Sequence, residues 1–323
     1  MTQFLKCATL ALLAAAAPAT AFAQTLGFAT LQPGAINHVQ AQIISKVVQT
    51  ATGMQVRVLP MRGTAAVLSA VHSKHAEFSV GTASHMTTAV LGTHDFKGRA
   101  KVNLRVAFTA LAFPIGIMVR NNSSIKTVAD MKGRRFPTGW KAFPNGIPLA
   151  NGVLAAAGLS LADMESVPTS GLIPAANDFK VGKNDGTTFA VGAPKVAEIN
   201  AAIKGGLRFL SMDNSPAALA RVKKVRPDYF IMTLKPNPRF AGILGPTNVL
   251  GVNLVITAGA HVSNDTMYKF VKAVAENKAA LAKGHPSFNG FFPDKRMAKQ
   301  YSSVRYHPGS IKYFKEKGIW PGK

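Results

Sequence analysis

Cysteine is nearly absent from this sequence, with one among 323 residues. A single thiol excludes a disulfide framework and a zinc site built from cysteines. Acidic residues are also few, 14 Asp and Glu against 38 Lys and Arg, so paired carboxylates for acid–base catalysis are poorly supported. Charged residues make up 16% of the chain and hydrophobic residues 47%, which excludes a highly charged disordered protein.

The excess of basic residues gives a formal net charge of +24. Three kinds of partner fit such a charge: nucleic acid, a negatively charged membrane face and small anions. The basic residues are scattered, without a long run or interleaved aromatic residues, so the sequence predicts no nucleic-acid binding. Phosphate-binding glycine loops and dinucleotide fingerprints are missing too. His72 and His75 have no third ligand nearby in the sequence, so we expect neither a metal nor a cofactor.

Residues 1–23 have the pattern of a secretory signal peptide. Lys6 supplies the positive start, an apolar stretch follows, and Ala21-Phe22-Ala23 is a small-residue cleavage site. An uncleaved N-terminal anchor is the alternative, but the apolar stretch is shorter than the about 20 residues that span a bilayer. The sequence therefore predicts cleavage before Gln24 and export to the periplasm.

Strands and helices alternate in the pattern typical of an α/β protein with mostly parallel sheets. The sequence predicts strands at 25–29, 55–60 and 77–80, and helices at 36–52, 65–72 and 85–91. Two apolar strands separated by Phe113-Pro114 follow, at 104–111 and 115–119, and the alternation then restarts. We therefore predict two lobes joined by a hinge, one formed by residues 24–111 plus 212–323 and the other by residues 112–211.

Several predicted strands end in small or turn residues that lead directly into a helix. The turns contain Thr30, Asn37, Gly63, Thr64, Ser84, Asn145, Gly146 and Gly192. In an open α/β sheet such turns line one crevice at the carboxyl ends of the strands, and the N–H groups of helix N-termini favour an anion there. The turns recur in both halves, so the sequence predicts a cleft that closes on a carboxylate. The hydroxyls of Thr30, Thr64 and Ser84 are the strongest candidates to touch it.

Other side chains near these turns have two interpretations each. Arg62 is either a guanidinium clamp on a carboxylate or an exposed surface arginine. Trp140 is either an aromatic wall against the carbon skeleton of a ligand or a residue that pins its loop. Asn37 and Asn145 either orient polar ligand atoms or act as helix caps and turn residues.

Five segments resemble, in order along the chain, the solute-binding proteins of TRAP transporters, specifically the TAXI family. The segments are TLQPGAINHVQAQII at 30–44, VRVLPMRGTAAVLSAVHSKHAEFSVG at 56–81, VRNNSSIKTVADMKGRRF at 119–136, LAAAGLSLADM at 154–164 and YHPGSIKYFKEKGIW at 306–320. Together they extend over essentially the whole chain that follows the signal peptide.

The resemblance implies a type II periplasmic-binding-protein fold, in which two α/β lobes trap a ligand. It implies a small organic acid or an acidic amino acid as the ligand, and a permease driven by an ion gradient as the partner that receives it. This chain has Asn37-His38 where the family often has paired tyrosines, and Arg62-Gly63-Thr64 where it often has Gly-Gly-Ser. The predicted function is a monomeric solute-binding protein without a catalytic residue.

Two other functions fit parts of the pattern. An exported hydrolase would use Ser84 and a histidine, although the adjacency of Ser84 and His85 in the chain does not bring their side chains together. A two-lobed binding protein can also report its ligand to a membrane receptor kinase.

Overall fold

The computed structural model describes residues 25–321, so the signal peptide predicted at 1–23 lies outside the described residues. The strands are β1 Leu26–Leu31, β2 Val56–Met61, β3 Phe78–Thr82, β4 Leu104–Arg120, β5 Arg135–Thr138, β6 Glu165–Pro168, β7 Gly186–Ala190, β8 Leu207–Phe209, β9 Phe230–Leu234 and β10 Thr247–Gly259. The helices are α1 Ile36–Thr52, α2 Thr64–His72, α3 Ala83–Leu91, α4 Gly146–Leu154, α5 Leu172–Lys180, α6 Pro194–Ala202, α7 Pro216–Val225, α8 Asn264–Glu276, α9 Lys278–Gly284, α10 Pro293–Arg296 and α11 Pro308–Glu316. Within residues 25–321, every helix is too short or too polar to cross a membrane.

Eight of the strands form one mixed sheet through the molecule. Its order is β2-β1-β3-β10-β4-β7, with β8 paired to β4 and β9 paired to β10. β1 pairs in parallel with β2 and β3, as the alternation of strands and helices predicts. Every residue of β1 is buried, because β2 and β3 flank it and α1 and α2 pack on it. β5 and β6 form a separate parallel pair.

Two long strands, β4 and β10, run antiparallel through both halves of the sheet. Residues 254–258 of β10 pair with β3, whereas residues 247–251 pair with β9. The sequence predicts two strands separated at Phe113-Pro114, but the structure has one continuous strand in which Pro114 lies opposite Gly251. Proline removes one donor from the ladder, and the Pro114 carbonyl accepts a hydrogen bond from the Val191 amide at 3.0 Å.

The two predicted lobe boundaries, between residues 111 and 112 and between residues 211 and 212, do not coincide with gaps between packed elements. The first lies inside β4, one of the strands that cross between the halves. After the second, α7 still packs on α4 and on the turn at Ala155–Ala157, where the Arg221 guanidinium donates to the Ala155 carbonyl at 2.9 Å. The boundaries stay a prediction, and these contacts favour a return to the first lobe within β10 and not at residue 212.

Three phenylalanines build the core of the first half. Phe78 stacks on Phe270 with 4.1 Å between ring centroids, and Phe28 meets both rings edge-on at 6.1 and 6.2 Å. Burial of one such side chain stabilises the fold by about 1.5–3 kcal/mol. Because these residues belong to β1, β3 and α8, the cluster fixes α8 to the strands whose carboxyl ends lead into the candidate site.

Candidate functional site

A buried cavity lies where β1, β3 and β7 end, against the loops that precede α2, α4 and α5. Its volume is about 40 Å³, and its nineteen lining residues are all uncharged. The apolar ones are Leu31, Ala35, Ile36, Val80, Phe113, Ile115, Trp140, Phe143, Leu149, Leu172, Phe189 and Ala190. The others are Asn37, Thr64, Gly81, Thr82, Asn145, Gly146 and Thr188. The cavity therefore has apolar walls with a few polar groups, as small-ligand sites have.

Five helices begin at this cavity. Residues of the first turn or the N-cap of α1, α2, α3, α4 and α5 line it: Ile36, Thr64, Thr82, Asn145 and Leu172. The first N–H groups of a helix lack partners inside the helix and carry partial positive charge. Three of these helices start in the first half of the sheet and two in the second, so positive dipole ends from both halves converge.

None of the five helices that begin at the cavity has a side-chain cap, whereas three of the other six described helices have one and α6, α9 and α10 do not. Within residues 25–321, no side chain caps α1, α2, α3, α4 or α5 by a hydrogen bond. By contrast, Ser215 caps α7, Ser263 caps α8 and His307 caps α11. A capping side chain satisfies one of the free N–H groups. The first N–H groups of α1, α2, α3 and α5 therefore stay available to another acceptor, whereas in α4 the Gly146 and Ile147 amides already donate to the Phe143 and Pro144 carbonyls.

Polar side chains add hydroxyl groups to the same space. Among the described residues, the Oγ1 atoms of Thr64 and Thr188 are buried without a hydrogen-bond partner. Thr188 is 7% exposed, so its hydroxyl is unpaired well inside the protein. A buried polar group without a partner costs free energy, which a ligand that bonds to it would recover.

The loop between β5 and α4 closes one side of the cavity. Trp140 is buried and packs edge-on against Phe136, with 6.3 Å between ring centroids. A Cβ on Gly146 would come within 2.9 Å of both Trp140 and Phe143, so only glycine lets α4 begin against these rings. Trp140 thus lines the cavity and also fixes its loop, and its contact with a ligand stays a prediction.

The two halves touch each other around the cavity. The Asn145 Nδ2 donates to Thr82 Oγ1 at 3.2 Å, and the Lys195 amide donates to the Gly34 carbonyl at 3.2 Å. Gly63 lies directly against the Ala142 carbonyl, where a Cβ would overlap the oxygen. These contacts describe a closed arrangement of the two halves.

Half of the predicted site residues line the cavity. They are Asn37, Thr64, Trp140, Asn145 and Gly146. Asn37, Thr64 and Gly146 lie in the first turn of a helix, Asn145 is the N-cap of α4, and Trp140 belongs to the loop ahead of α4. The structure brings these residues together, and their role in binding stays a prediction.

The other predicted residues lie beside the cavity or away from it. Arg62 is exposed, which agrees with its interpretation as a surface arginine. Thr30 is buried within β1, and Gly63 lies against the Ala142 carbonyl of the other half. Burial raises the pKa of the Tyr229 phenol, which lies close to the buried Ser84 hydroxyl. Gly192 has φ +81° and packs against Phe240.

Sequence reasoning missed several lining residues. Thr188 and Phe189 come from a strand that the sequence predicts at 187–191, but its pattern gives no sign of which face reaches the cavity. Phe113 lies at the predicted break between two strands, where the sequence gives no reason to expect a lining residue. Thr82 lies in the turn predicted at 81–84, where the predicted site residue is Ser84 instead. The signal that could have found Thr188 is the Thr187-Thr188 pair inside an otherwise apolar strand, because only one of two adjacent strand residues faces a given side.

Ser84 and His85 are not hydrogen-bonded to each other. The His85 Nε2 pairs with Asp95 Oδ2 at 2.9 Å. Burial disfavours ionisation of Asp95, but the hydrogen bond and charge of His85 outweigh it and lower the pKa of Asp95. Within residues 25–321, the Ser84 Oγ has no hydrogen-bond partner, so this chain segment does not form a bonded Ser–His pair. Nor do the described residues contain a group of three His, Cys, Asp or Glu at metal-binding distances.

Solved structures share this architecture at low sequence identity. PhnD1 from Prochlorococcus marinus, in complex with methylphosphonate, matches with a TM-score of 0.54 at 12% identity over 91% of this chain and 96% of that one. The periplasmic aliphatic sulphonate binding protein SsuA from Escherichia coli matches with a TM-score of 0.50 at 16% identity, over 93% of this chain and 89% of that one. A periplasmic transporter matches with a TM-score of 0.54 at 16% identity, over 92% of this chain and 93% of that one. These likenesses confirm the predicted α/β two-lobed periplasmic-binding-protein fold.

Comparison of the sequence with protein families identifies the family of this chain. The model of the NMT1-like family matches residues 36–318, which includes every element from α1 to α11. The chain therefore belongs to the NMT1-like family.

Proposed function

We propose that this protein is a periplasmic solute-binding protein that holds a small organic acid between two lobes, without chemistry, and delivers it to a TRAP-type membrane permease. The observation that carries the proposal is the convergence of five helix N-termini without side-chain caps, within the described residues, on one buried cavity. An anion at a helix N-terminus is stabilised by about 0.3–1 kcal/mol, and by up to about 2 kcal/mol in buried geometry.

Ligand binding in this proposal works through lobe closure. An anion that reaches the open cleft bonds to N–H groups and hydroxyls of one lobe first. Closure then adds the first N–H groups of α5, the Thr188 hydroxyl and the contact of Asn145 with Thr82. Because the ligand bonds to both lobes only in the closed state, binding shifts the equilibrium towards that state. The hinge in this proposal consists of the crossing strands β4 and β10.

Several observations support the periplasmic location and the anionic ligand. The sequence carries a signal-peptide pattern at 1–23, and the fold is that of periplasmic binding proteins. Two relatives in fold are described as a sulphonate-binding protein and as a complex with methylphosphonate, and both of these ligands are small anions. The TRAP permease as the receiving partner rests on the ordered resemblance to the TAXI family.

The test is ligand binding by the full mature chain after removal of any co-purified solute. Mass spectrometry of the solute released on unfolding identifies the natural ligand. A library of organic acids and amino acids is then screened by thermal unfolding, where a ligand at about 100 times its Kd adds roughly 2.7 kcal/mol and raises Tm by several degrees. No shift with any anion, together with turnover of an ester that is lost in Ser84→Ala, would establish the hydrolase instead.

Delivery needs a separate measurement. Reconstitution with the membrane subunits of a TRAP permease in liposomes is expected to give solute uptake that depends on an ion gradient and on this protein. Uptake that requires ATP would assign the protein to a different class of transporter. Co-purification with a receptor kinase, and no uptake, would favour a sensory role.

A further inference from the structure

The cavity that holds the solute in the proposed function also limits which acids fit. We propose that the site selects a short monocarboxylate with an unsubstituted hydrocarbon tail over amino acids and dicarboxylates. This inference rests on the proposed function and narrows its ligand class, since acidic amino acids are among the ligands that the family resemblance implies.

The charge of the lining is the first argument. All nineteen lining residues are uncharged, so one carboxylate would be met by helix N-termini and hydroxyls alone. An α-ammonium group would lie beside the same positive dipole ends, and its usual partner is a carboxylate. A second carboxylate would have to share the same donors or lie on apolar wall. A buried charge without a partner is strongly unfavourable, so a single negative charge is what this lining accommodates.

The walls are the second argument. Twelve of the nineteen lining residues are apolar, and they include the rings of Trp140, Phe143 and Phe189 and the aliphatic side chains of Ile115 and Leu172. Such a surface gains from a hydrocarbon tail, at roughly 0.8 kcal/mol per buried CH₂. A hydroxyl, amide or ammonium on the tail would lose its hydration without a partner.

The size of the closed cavity is the third argument. Its volume is about 40 Å³. An engineered apolar cavity of about 150 Å³ binds benzene, so the present one suits a much smaller tail. The closed arrangement therefore matches an acid of two to four carbons, and longer acids would hold the lobes apart.

The position of Thr188 indicates where the carboxylate of the ligand would bind. Its side chain is 7% exposed and lines the cavity, and among the described residues its Oγ1 is buried without a partner. Thr64, the first residue of α2, carries a second such hydroxyl on the opposite half. Two unpaired donors from opposite halves, together with the free N–H groups, would complete the coordination of one carboxylate.

Isothermal titration of the ligand-stripped full chain with three groups of compounds tests this inference. We expect acetate, propionate or butyrate to bind, and propionamide, alanine, aspartate, glutamate and succinate to bind at least about tenfold more weakly. Glutamate or succinate binding more tightly than every monocarboxylate would overturn the inference and leave the proposed function standing. Absence of binding by every acid would overturn both.

Matched variants locate the carboxylate. Thr188→Val keeps the shape and removes the hydroxyl, so monocarboxylate affinity is expected to fall about tenfold or more, as for a hydrogen bond to a charged group. The control is Thr187→Val, because Thr187 is also buried on the same strand with an unpaired hydroxyl, within the described residues, but does not line the cavity. Thr64→Val provides a second variant if Thr188→Val folds poorly. Equal affinities in wild type, Thr188→Val and Thr64→Val would overturn the assignment.

Discussion

Asp228 carries a buried oxygen that the fold does not satisfy. Within residues 25–321, its Oδ2 has no hydrogen-bond partner. Burial raises the pKa of Asp228, and the nearby charges of Lys299 and Arg226 offset only part of this effect. Burial likewise lowers the pKa of Lys299, so the two groups do not form a strong ion pair. An ionised carboxylate at this position therefore opposes folding.

The raised pKa has a defined consequence for stability. The folded chain binds the Asp228 proton more tightly than the unfolded chain, so the free energy of unfolding falls as pH rises from the ordinary value of about 3.9 through the raised pKa. Asp228→Asn is expected to raise the free energy of unfolding at pH 7 relative to wild type, and the gain is expected to shrink towards pH 4. Urea unfolding at both pH values measures this difference.

A control separates burial from charge removal in general. Asp265 is exposed and pairs with Lys269 at 2.7 Å, so Asp265→Asn is expected to give no gain at pH 7. A gain for Asp265→Asn as large as that for Asp228→Asn would contradict the explanation. So would a gain for Asp228→Asn that is the same at pH 4 and pH 7.

Single residues show how far the sequence could predict the site. Thr64, Asn145 and Gly146 were predictable because strand-to-helix turns lie at the carboxyl ends of parallel strands. Arg62 belongs to such a turn too, but its long side chain extends to solvent, and chain position alone does not give that direction. Thr188 was missed because the face of a fully buried strand that meets a cavity depends on tertiary packing.

At the scale of elements, two hydroxyls at helix N-termini have different roles. The Ser263 hydroxyl accepts a hydrogen bond from the Thr266 amide at 3.1 Å and caps α8, away from the cavity. Thr82 is the N-cap of α3, but its Oγ1 instead accepts from Asn145 Nδ2 across the two halves. The first hydroxyl thus stabilises its own helix, and the second joins the two halves.

These two positions are expected to give opposite phenotypes. Ser263→Ala should lower the free energy of unfolding by about 1 kcal/mol, since a cap is lost, and leave the Kd of the solute unchanged. Thr82→Val keeps its shape and removes the acceptor of Asn145, so it should weaken solute binding by about 1 kcal/mol, roughly fivefold. Chemical unfolding and isothermal titration on both variants measure the effects. The interpretation fails if Thr82→Val keeps wild-type affinity or if Ser263→Ala weakens binding.

Elements also show which part of the fold the sequence predicts. The order β1-α1-β2-α2-β3-α3 follows from periodicity and glycine stops, such as Gly53 with φ +74° after α1. β10 gave no such signal, because a continuous apolar strand that pairs on both sides has no alternation. Phe113-Pro114 suggested a break, although pairing with β10 continues through it. The crossing strands are thus defined by long-range pairing, which the local sequence does not contain.

At the scale of the whole molecule, closure depends on how closely the two halves approach. Gly63 is the N-cap of α2 in the first half, and it faces the Ala142 carbonyl of the loop before α4. Its φ of −161° is extended backbone that any residue adopts, so glycine is required here for space alone. Any side chain at this position would meet backbone, which cannot move aside as a flexible side chain does.

Gly63→Ala is therefore expected to hold the halves apart while each half stays folded. We expect an increase in the radius of gyration measured by small-angle X-ray scattering in saturating solute, and at least about tenfold weaker binding, because the open state lacks the donors of α5 and the Thr188 hydroxyl. Gly245→Ala is the control, since no atom lies within 4 Å of a Cβ built there. If Gly63→Ala closes and binds like wild type, then the contact between Gly63 and Ala142 does not belong to the ligand-bound state, and closure must follow a different path.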